Sequence, residues 1–220
     1  MALVLHPTQE RVILHGISWA TFECLLTDRG DRPGVLFAYD QGTVDLTMPS
    51  SEHEMLNQFL VLIVDAIAFA RDLHLLNVGS TTFTREDLAR GFEPDAGFYV
   101  QHVDAIQHPE RIDLTIDPPP DVVIEIDITS PSLNKLPIYA AIGIPEVWRY
   151  SREGIILYQR HQAMYEPVEA SVVLSGITRH DLTHFLAMAR TMSNRTAWFK
   201  AVVAAIQDRD QVEHRSYRDG

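Results

Sequence analysis

The amino-acid sequence predicts an α/β or α+β domain built from layers of sheet and helix. Two observations lead to this prediction. Strand-like segments fill the middle of the chain and helical patterns stand before and after them, which is the order expected of a layered domain. The 220 residues are 46% hydrophobic and 22% charged, the ordinary balance of a globular protein with one buried core. We therefore expect a single domain over residues 1–210, followed by a flexible tail over residues 211–220.

The predicted helices begin at residues that can cap them. Ser18 can cap the first helix, whose apolar residues keep helical spacing. Ser51 with Glu54, and Thr178 with Asp181, each match a capping box, in which two side chains bind backbone N–H groups of the first turn. The second helix is apolar on most sides and should be buried. The predicted helices cover residues 17–26, 51–73, 137–142, 179–190 and 194–207.

The predicted strands are short and are separated by turn residues. Asp40-Gln41-Gly42 joins two of them as a hairpin, and residues 151–154 join two more. A loop is expected over residues 102–120, which end in three consecutive prolines. The predicted strands cover residues 35–39, 43–48, 75–84, 96–100, 121–128, 146–150, 155–160 and 170–174.

The charge disfavours a protein that coats nucleic acid non-specifically, and the apolar segments disfavour a membrane protein. Eighteen basic and 30 acidic side chains give a formal net charge of −12, which disfavours a basic coat that binds nucleic acid non-specifically but not a local basic cleft. The longest apolar run, Phe59–Ala70, is too short to span a bilayer. Met1–Leu5 lacks the charged segment of a signal peptide, and the single cysteine, Cys24, suits a reducing compartment. We expect a cytoplasmic protein that does not enter a membrane.

The predicted strand over residues 121–128 carries the first candidates for chemistry. Its even-numbered residues are apolar, whereas Glu125 and Asp127 lie on the opposite face. Two carboxylates on a central strand are costly to bury unless they are paired or bind a metal. A third carboxylate, Asp95, stands directly before another predicted strand.

Lys135 is a further candidate because lysine is rare in this chain. The sequence contains two lysines, Lys135 and Lys200, against sixteen arginines. Since arginine is the usual surface cation here, a lysine can mark a position that needs a compact charge. The alternative is that Lys135 is a solvated residue of a loop.

A series of short motifs follows in order along the chain. They are Tyr39-Asp40-Gln41-Gly42, Met48-Pro49, Glu52-His53, Glu93-Pro94-Asp95, residues 121–125, Ser130-Pro131-Ser132, Lys135, Tyr139 and residues 143–148. In this order and spacing they resemble the Uma-two family of restriction-endonuclease-like proteins, which are numerous in cyanobacteria. The resemblance runs from about residue 18 to residue 190, and the family is similar to the PD-(D/E)XK nuclease superfamily.

The resemblance implies a restriction-endonuclease-like core, with a central mixed sheet flanked by helices and a divalent-metal site at the strand ends. It implies that Asp95 and Glu125 bind Mg²⁺ or Mn²⁺, with the backbone carbonyl of Ile126 as a third ligand. The superfamily places a lysine two residues beyond the second acid, and this chain has Asp127 there. The family commonly takes its lysine from the following helix, which gives Lys135. Asp95, Glu125 and Lys135 are therefore the predicted catalytic residues.

Three further residues have more than one interpretation. Asp127 is either an extra metal ligand or a partner that holds Lys135. Glu52 either contributes to the site or only stabilises the positive N-terminus of its helix. The resemblance favours a site-facing His53 without giving it a role.

Two functions fit these observations. The first is a metal-dependent endonuclease that hydrolyses DNA phosphodiester bonds, in which the cation activates a bound water and Lys135 stabilises developing negative charge. The alternative is a catalytically silent or regulatory interaction protein on the same fold. The net charge of −12 favours the alternative, because DNA would approach through a repulsive field. The presence of all three predicted catalytic residues favours the nuclease.

We also expect a homodimer. Cutting both strands of a duplex usually takes two active sites, and a two-fold dimer supplies them symmetrically. Trp198, Phe199 and Val202 of the last predicted helix offer apolar material for the interface.

Overall fold

The computed structural model describes residues 10–30, 32–109, 111–128 and 134–216. These residues contain five α-helices, eleven strands and two short 3-10 turns. The helices are α1 (Trp19–Arg29), α2 (Ser51–Arg71), α3 (Leu136–Ile142), α4 (Arg179–Thr191) and α5 (Arg195–Ser216). The strands are β1 (Glu10–His15), β2 (Leu36–Asp40), β3 (Thr43–Met48), β4 (Leu76–Gly79), β5 (Phe83–Arg85), β6 (Arg90–Phe92), β7 (Ala96–Tyr99), β8 (Val122–Asp127), β9 (Glu146–Ser151), β10 (Gly154–His161) and β11 (Met164–Val168).

The strands form two sheets. The small sheet has five strands in the order β1-β3-β2-β6-β5, and the mixed sheet has six in the order β11-β10-β9-β8-β7-β4. Within the described residues, β8 and β9 are the parallel pair and α3 connects them, while the other strand pairs are antiparallel. Parallel neighbours need such a crossover connection. The prediction of an α/β or α+β fold with a mixed sheet flanked by helices is confirmed.

Helices cover the mixed sheet on both of its faces. Ile124 and Ile126 of β8 pack on one face with apolar residues of α2, α4 and α5. On the opposite face, Val123 of β8 packs with Tyr139 of α3 and with Ala38 of the small sheet. Because side chains alternate along a strand, Glu125 lies on the same face as Val123, which is turned toward α3 and the small sheet.

The helix α2 is the central core helix, and its cap differs from the prediction. Ser50 has an extended backbone after Pro49 and its hydroxyl accepts a hydrogen bond from the N–H of His53 at 3.2 Å. The N-cap is therefore Ser50, and the predicted capping box of Ser51 and Glu54 is wrong. By length and composition alone, α2 could cross a membrane. Its buried face supplies much of the main core, which accounts for its apolar composition.

Two predicted strands differ from the structure. The single strand over residues 75–84 is two strands in different sheets, because Gly79 takes a left-handed conformation (φ +55°) that turns the chain between β4 and β5. The strand predicted over residues 170–174 is a turn that follows an isolated bridge from Ala170 to Thr178. There the N–H of Leu174 donates to the hydroxyl of Ser171 at 2.8 Å, so the backbone bonds locally instead of pairing with a strand.

The helix α5 packs on the core with its apolar face. Trp198 and Val202 are buried among residues of α2 and the mixed sheet, and the indole N–H of Trp198 donates to the carbonyl of Phe185 at 2.9 Å. These two residues are therefore committed to the core, and their predicted part in a dimer interface is wrong. The helix continues to Ser216, and residues 217–220 lie outside the described part of the chain.

Candidate active site

Asp95 and Glu125 lie on the same face of the mixed sheet. Ala96 of β7 pairs with Ile124 of β8, and both side chains belong to the core under α2. The residues next to this pair, Asp95 and Glu125, therefore point away from that core, toward α3 and the small sheet. Two residues that are 30 apart in sequence thus meet across neighbouring strands.

Asp95 is fixed at the end of β8 by hydrogen bonds. Its carboxylate accepts the backbone N–H of Ile126 at 2.6 Å, and its own N–H donates to the carbonyl of Ile124 at 3.1 Å. The amide of Asn57 on α2 donates to the Asp95 carbonyl at 2.9 Å. Since the N–H and C=O of one strand residue point to the same side, the carbonyl of Ile126 also faces the Asp95 side of β8.

Both carboxylate oxygens of Glu125 have partners at the start of α3. The ammonium of Lys135 donates to Oε2 at 2.8 Å, and the hydroxyl of Tyr139 donates to Oε1. Lys135 and Tyr139 are four residues apart, so the first turn of α3 places both on one side of the helix. Gly143, at φ +101°, ends this short helix. The start of this helix therefore places one cation and one hydroxyl within hydrogen-bonding distance of Glu125.

Burial and neighbouring charges shift the pKa values of this cluster. Burial raises the pKa of Glu125 and Asp95 raises it further, while Lys135 and Tyr139 offset part of the effect. Burial alone would lower the pKa of Lys135, but Glu125, Asp95 and Asp45 outweigh it and the pKa of Lys135 is raised. Burial and the nearby carboxylates raise the pKa of Tyr139 well above its ordinary value. Lys135 is thus held as a cation and Tyr139 as a hydrogen-bond donor.

His53 faces the same carboxylates from the first turn of α2. Its ring is 1% exposed, with Nε2 3.1 Å from Oδ1 of Asp95. This is an ion-pair distance, although among the described residues neither ring nitrogen makes a contact with full hydrogen-bond geometry. Burial lowers the pKa of His53, but Asp95, Glu54 and Glu125 outweigh it and the pKa is raised. The carboxylates around His53 therefore favour its protonated form.

The remaining predicted residues lie at the edge of this cluster. Glu52 is exposed in the first turn of α2. Asp127 forms an ion pair with Arg149 of β9 at 2.5 Å, whereas Lys135 pairs with Glu125. The motif Ser130-Pro131-Ser132 lies outside the described residues.

Asp45 is a site residue that sequence reasoning missed. It is 1% exposed on β3, where Arg11 contacts its Oδ1 at 2.8 Å and the hydroxyl of Thr47 donates to the same oxygen at 3.2 Å. Asp45 pairs with Ala38, and Ala38 packs with Tyr139, so Asp45 faces the space that holds Lys135. The alternation of β3 was visible in the sequence, but it could not show that the polar face is turned inward.

The donors of the site fit a hard divalent cation. Asp95, Glu125 and the Ile126 carbonyl offer oxygen atoms only, which is the ligand chemistry that Mg²⁺ and Mn²⁺ prefer. Among the described residues, no group of three or more His, Cys, Asp or Glu side chains is arranged to hold a metal ion. A site with two carboxylates and one carbonyl suits a cation that keeps several of its waters.

Comparisons with known proteins agree with the fold and with the motifs. The family model that matches residues 19–189 is Uma2, described as "Putative restriction endonuclease". Among solved structures, a protein from Anabaena variabilis described as a "putative nuclease belonging to DUF820" matches with a TM-score of 0.50 and 17% sequence identity, over 67% of this chain and 89% of its own. At that identity the likeness concerns the fold. No protein with a curated function matches this chain.

Proposed function

Because the chain belongs to the Uma2 (Uma-two) family of restriction-endonuclease-like proteins, we propose that it is a metal-dependent endonuclease that hydrolyses DNA phosphodiester bonds. One observation carries the proposal. Three separate segments of the chain bring Asp95, Glu125 and Lys135 to one face of the mixed sheet. A cluster that only stabilised the fold would not need two carboxylates beside each other, because like charges disfavour burial.

The proposed cofactor is Mg²⁺ or Mn²⁺, held by Asp95, Glu125 and the carbonyl of Ile126. Such a cation neutralises the phosphodiester and lowers the pKa of a bound water. The protein supplies the geometry around it. Ile126 fixes Asp95 through its N–H at 2.6 Å, Tyr139 fixes Glu125 through its hydroxyl, and His53 supports the charge of Asp95.

Lys135 is the proposed electrostatic catalyst. Its side chain is 9% exposed, and its ammonium already lies among the carboxylates that would bind the cation. A cation fixed in a poorly solvated site stabilises negative charge that develops on the phosphate without reorganising at the moment of reaction. Lysine suits this role because its charge is compact and its stem is flexible.

DNA is the proposed substrate and a homodimer the proposed assembly. A two-fold dimer would place two sites for the two strands of a duplex. Light scattering at micromolar concentration tests the assembly, and a monomer would reject it. We keep the cytoplasm as the proposed location, since the chain carries one cysteine.

The test of the activity is nicking of supercoiled plasmid DNA with Mg²⁺, with Mn²⁺ and with a chelator. Wild type should nick only with metal, and Glu125→Gln should lose nicking by about a thousandfold or more. Glu166→Gln is the matched control, because it removes one exposed carboxylate of β11 and should nick like wild type. Equal nicking by wild type and Glu125→Gln would identify a contaminant and favour the interaction protein.

A further inference from the structure

Arginines surround the strand ends beside the candidate active site. The parallel strands β8 and β9 end together, with Glu125 opposite Arg149 and Asp127 opposite Ser151. Ile128, the residue after β8, lies three positions beyond Glu125, which is about 10 Å along an extended chain. A ligand that reaches the carboxylates from this edge of the mixed sheet therefore passes the side chains at these strand ends.

Three arginines lie at this edge, on both faces of the sheet. Arg149 lies on the face of the candidate site, because residues paired in register point to the same side. Tyr150 points to the opposite face, where it packs against the core that α2 covers, and Arg190 of α4 donates to its hydroxyl at 3.0 Å. Arg152, in the turn after β9, donates to the carbonyl of Ile128 at 2.8 Å. The arginines thus extend from one face of the sheet, past the strand ends, to the other face.

Two of these arginines, Arg152 and Arg190, differ from Arg149 in their partners. Arg149 pairs with the carboxylate of Asp127 at 2.5 Å. Within the part of the chain that the structure describes, Arg152 and Arg190 bind neutral acceptors, a backbone carbonyl and a tyrosine hydroxyl, and both residues are exposed. A guanidinium has five N–H donors, so one hydrogen bond leaves several that can bind another group. The two residues therefore present positive charge and hydrogen-bond donors to solvent at the strand ends.

The chemistry of these side chains fits the backbone of a nucleic acid. The planar fork of arginine matches two oxygens of one phosphate, and a nucleic-acid backbone offers phosphates at regular intervals. A local positive surface is also what a chain with a formal net charge of −12 needs if DNA is to approach it. Glu153, exposed in the same turn as Arg152, is an acid that would oppose such binding, so its removal gives an experiment of opposite sign.

We propose that Arg152 and Arg190 bind the phosphate backbone of DNA, so that the DNA crosses the ends of β8 and β9 beside the candidate site. Both are binding residues that hold the substrate and take no part in bond cleavage. The inference rests on the proposed function for its ligand, because an endonuclease that acts on DNA has a phosphate backbone as its substrate. Contacts to phosphate carry no sequence information, so this binding should not depend on the DNA sequence.

Fluorescence anisotropy of a short labelled DNA duplex, at low salt with a chelator, measures binding without cleavage. Arg152→Gln and Arg190→Gln should each weaken binding about tenfold, because each loses hydrogen bonds to a charged group. Each should also lower the slope of log affinity against log salt concentration by about one, as expected for one phosphate contact. Two duplexes of unrelated sequence should respond equally.

Two further variants serve as controls. Arg179→Gln removes an exposed arginine at the first residue of α4, about 16 Å along the helix from Arg190, and should bind DNA like wild type. Glu153→Gln removes the opposing acid and should tighten binding about twofold. Thermal unfolding should be nearly unchanged in all four single variants, because the four residues are exposed.

The outcomes separate this inference from the proposed function. No binding of the duplex by wild type, wild-type affinity in Arg152→Gln and Arg190→Gln, or equal weakening by Arg179→Gln would each overturn the two arginines as DNA contacts. The proposed function still stands in those cases if wild type nicks plasmid with Mg²⁺. Binding that depends on both arginines, in a wild type that does not nick, supports the contacts and overturns the nuclease.

A polyglutamate peptide tests the other class of ligand. It carries negative charge without phosphate, as an acidic protein would. We expect it to bind much more weakly than the duplex, because a carboxylate surface lacks the regular phosphates of DNA. Polyglutamate that binds as tightly as the duplex, with the same dependence on Arg152 and Arg190, would assign these residues to an acidic protein and overturn DNA as their ligand.

Discussion

The same dipeptide, Pro-Asp, stands at both ends of the β7–β8 strand pair, but different hydrogen-bond donors surround the two aspartates. Pro94-Asp95 precedes β7 and Pro120-Asp121 precedes β8, and each aspartate reaches the far end of the neighbouring strand. Asp121 accepts three backbone N–H groups, from Val100 at 2.7 Å, Gln101 at 2.8 Å and His102 at 3.1 Å, and also contacts Nδ1 of His102 at 2.5 Å. Among the described residues, Asp95 accepts one backbone N–H, from Ile126.

The difference shows that the surroundings of an aspartate, and not its local motif, decide whether its carboxylate is a fixed part of the fold. Four donors surround Asp121, and a carboxylate with that many hydrogen bonds is a fixed part of the fold. Among the described residues, Asp95 has one backbone donor and the ring of His53 at 3.1 Å, and it lies beside a second carboxylate, Glu125. The Asp121 end of the strand pair is a structural lock, and the Asp95 end is the candidate site.

The largest expected effect on stability comes from breaking the structural lock. Asp121→Ala should lower the free energy of unfolding by about 3 kcal/mol, because three backbone N–H groups lose their acceptor. Urea unfolding measures this change. A loss below about 1 kcal/mol would show that water replaces the carboxylate and that the two ends differ less than the contacts indicate.

Glu93 sharpens the comparison because it lies two residues before Asp95. It is 1% exposed, pairs with Arg29 at 2.6 Å and accepts the N–H of Phe37 at 2.9 Å. Glu93→Gln should lower the free energy of unfolding by about 2 kcal/mol, because the partly buried Arg29 loses its counter-ion. Mg²⁺ affinity should not change. If that affinity falls tenfold while the fold holds, Glu93 belongs to the site and the motif Glu93-Pro94-Asp95 acts as a unit.

A smaller effect is expected at a capping carboxylate far from the site. Burial would raise the pKa of Asp181, but hydrogen bonds from Thr178 and the charge of Arg209 outweigh it and the pKa is lowered. A lowered pKa in the folded protein means that the carboxylate stabilises the fold above its unfolded pKa. That contribution is lost as the pH falls through the lowered folded pKa.

Asp181→Asn should therefore cost about 1 kcal/mol at neutral pH. The cost should vanish as the pH falls through the lowered pKa of Asp181. Thermal unfolding as a function of pH measures both. A difference that is constant down to the most acid pH would mean that the charge of Asp181 has no part in the cap.

The sequence predicted the elements of the fold whose turns and helix caps are set by neighbouring residues. The hairpin of β2 and β3 followed from its turn, where Gln41 and Gly42 both take positive φ angles. The capping box of Thr178 and Asp181 is also confirmed. The split of residues 75–84 was missed because a single glycine decides it, and apolar alternation continues on both sides.

The sequence predicted Asp95, Glu125 and Lys135 as residues of the candidate site, but it did not predict Asp45 or the contact of Tyr139 with Glu125. The family motifs pointed to Asp95, Glu125 and Lys135, and the structure brings these three together. Asp45 was missed because alternation along β3 does not tell which face of the hairpin meets the mixed sheet. Tyr139 is a core aromatic, and the hydrogen bond of its hydroxyl to Glu125 depends on the length of α3 and on its docking, which the sequence does not show.

The central claim is that Asp95 and Glu125 form a divalent-cation site, and calorimetric titration with Mg²⁺ tests it most directly. Wild type and Glu93→Gln should each bind one ion per chain. Asp95→Asn should bind none while its free energy of unfolding stays within about 1 kcal/mol of wild type, because the amide can still accept the N–H of Ile126. Equal Mg²⁺ binding by Asp95→Asn and wild type would contradict the account.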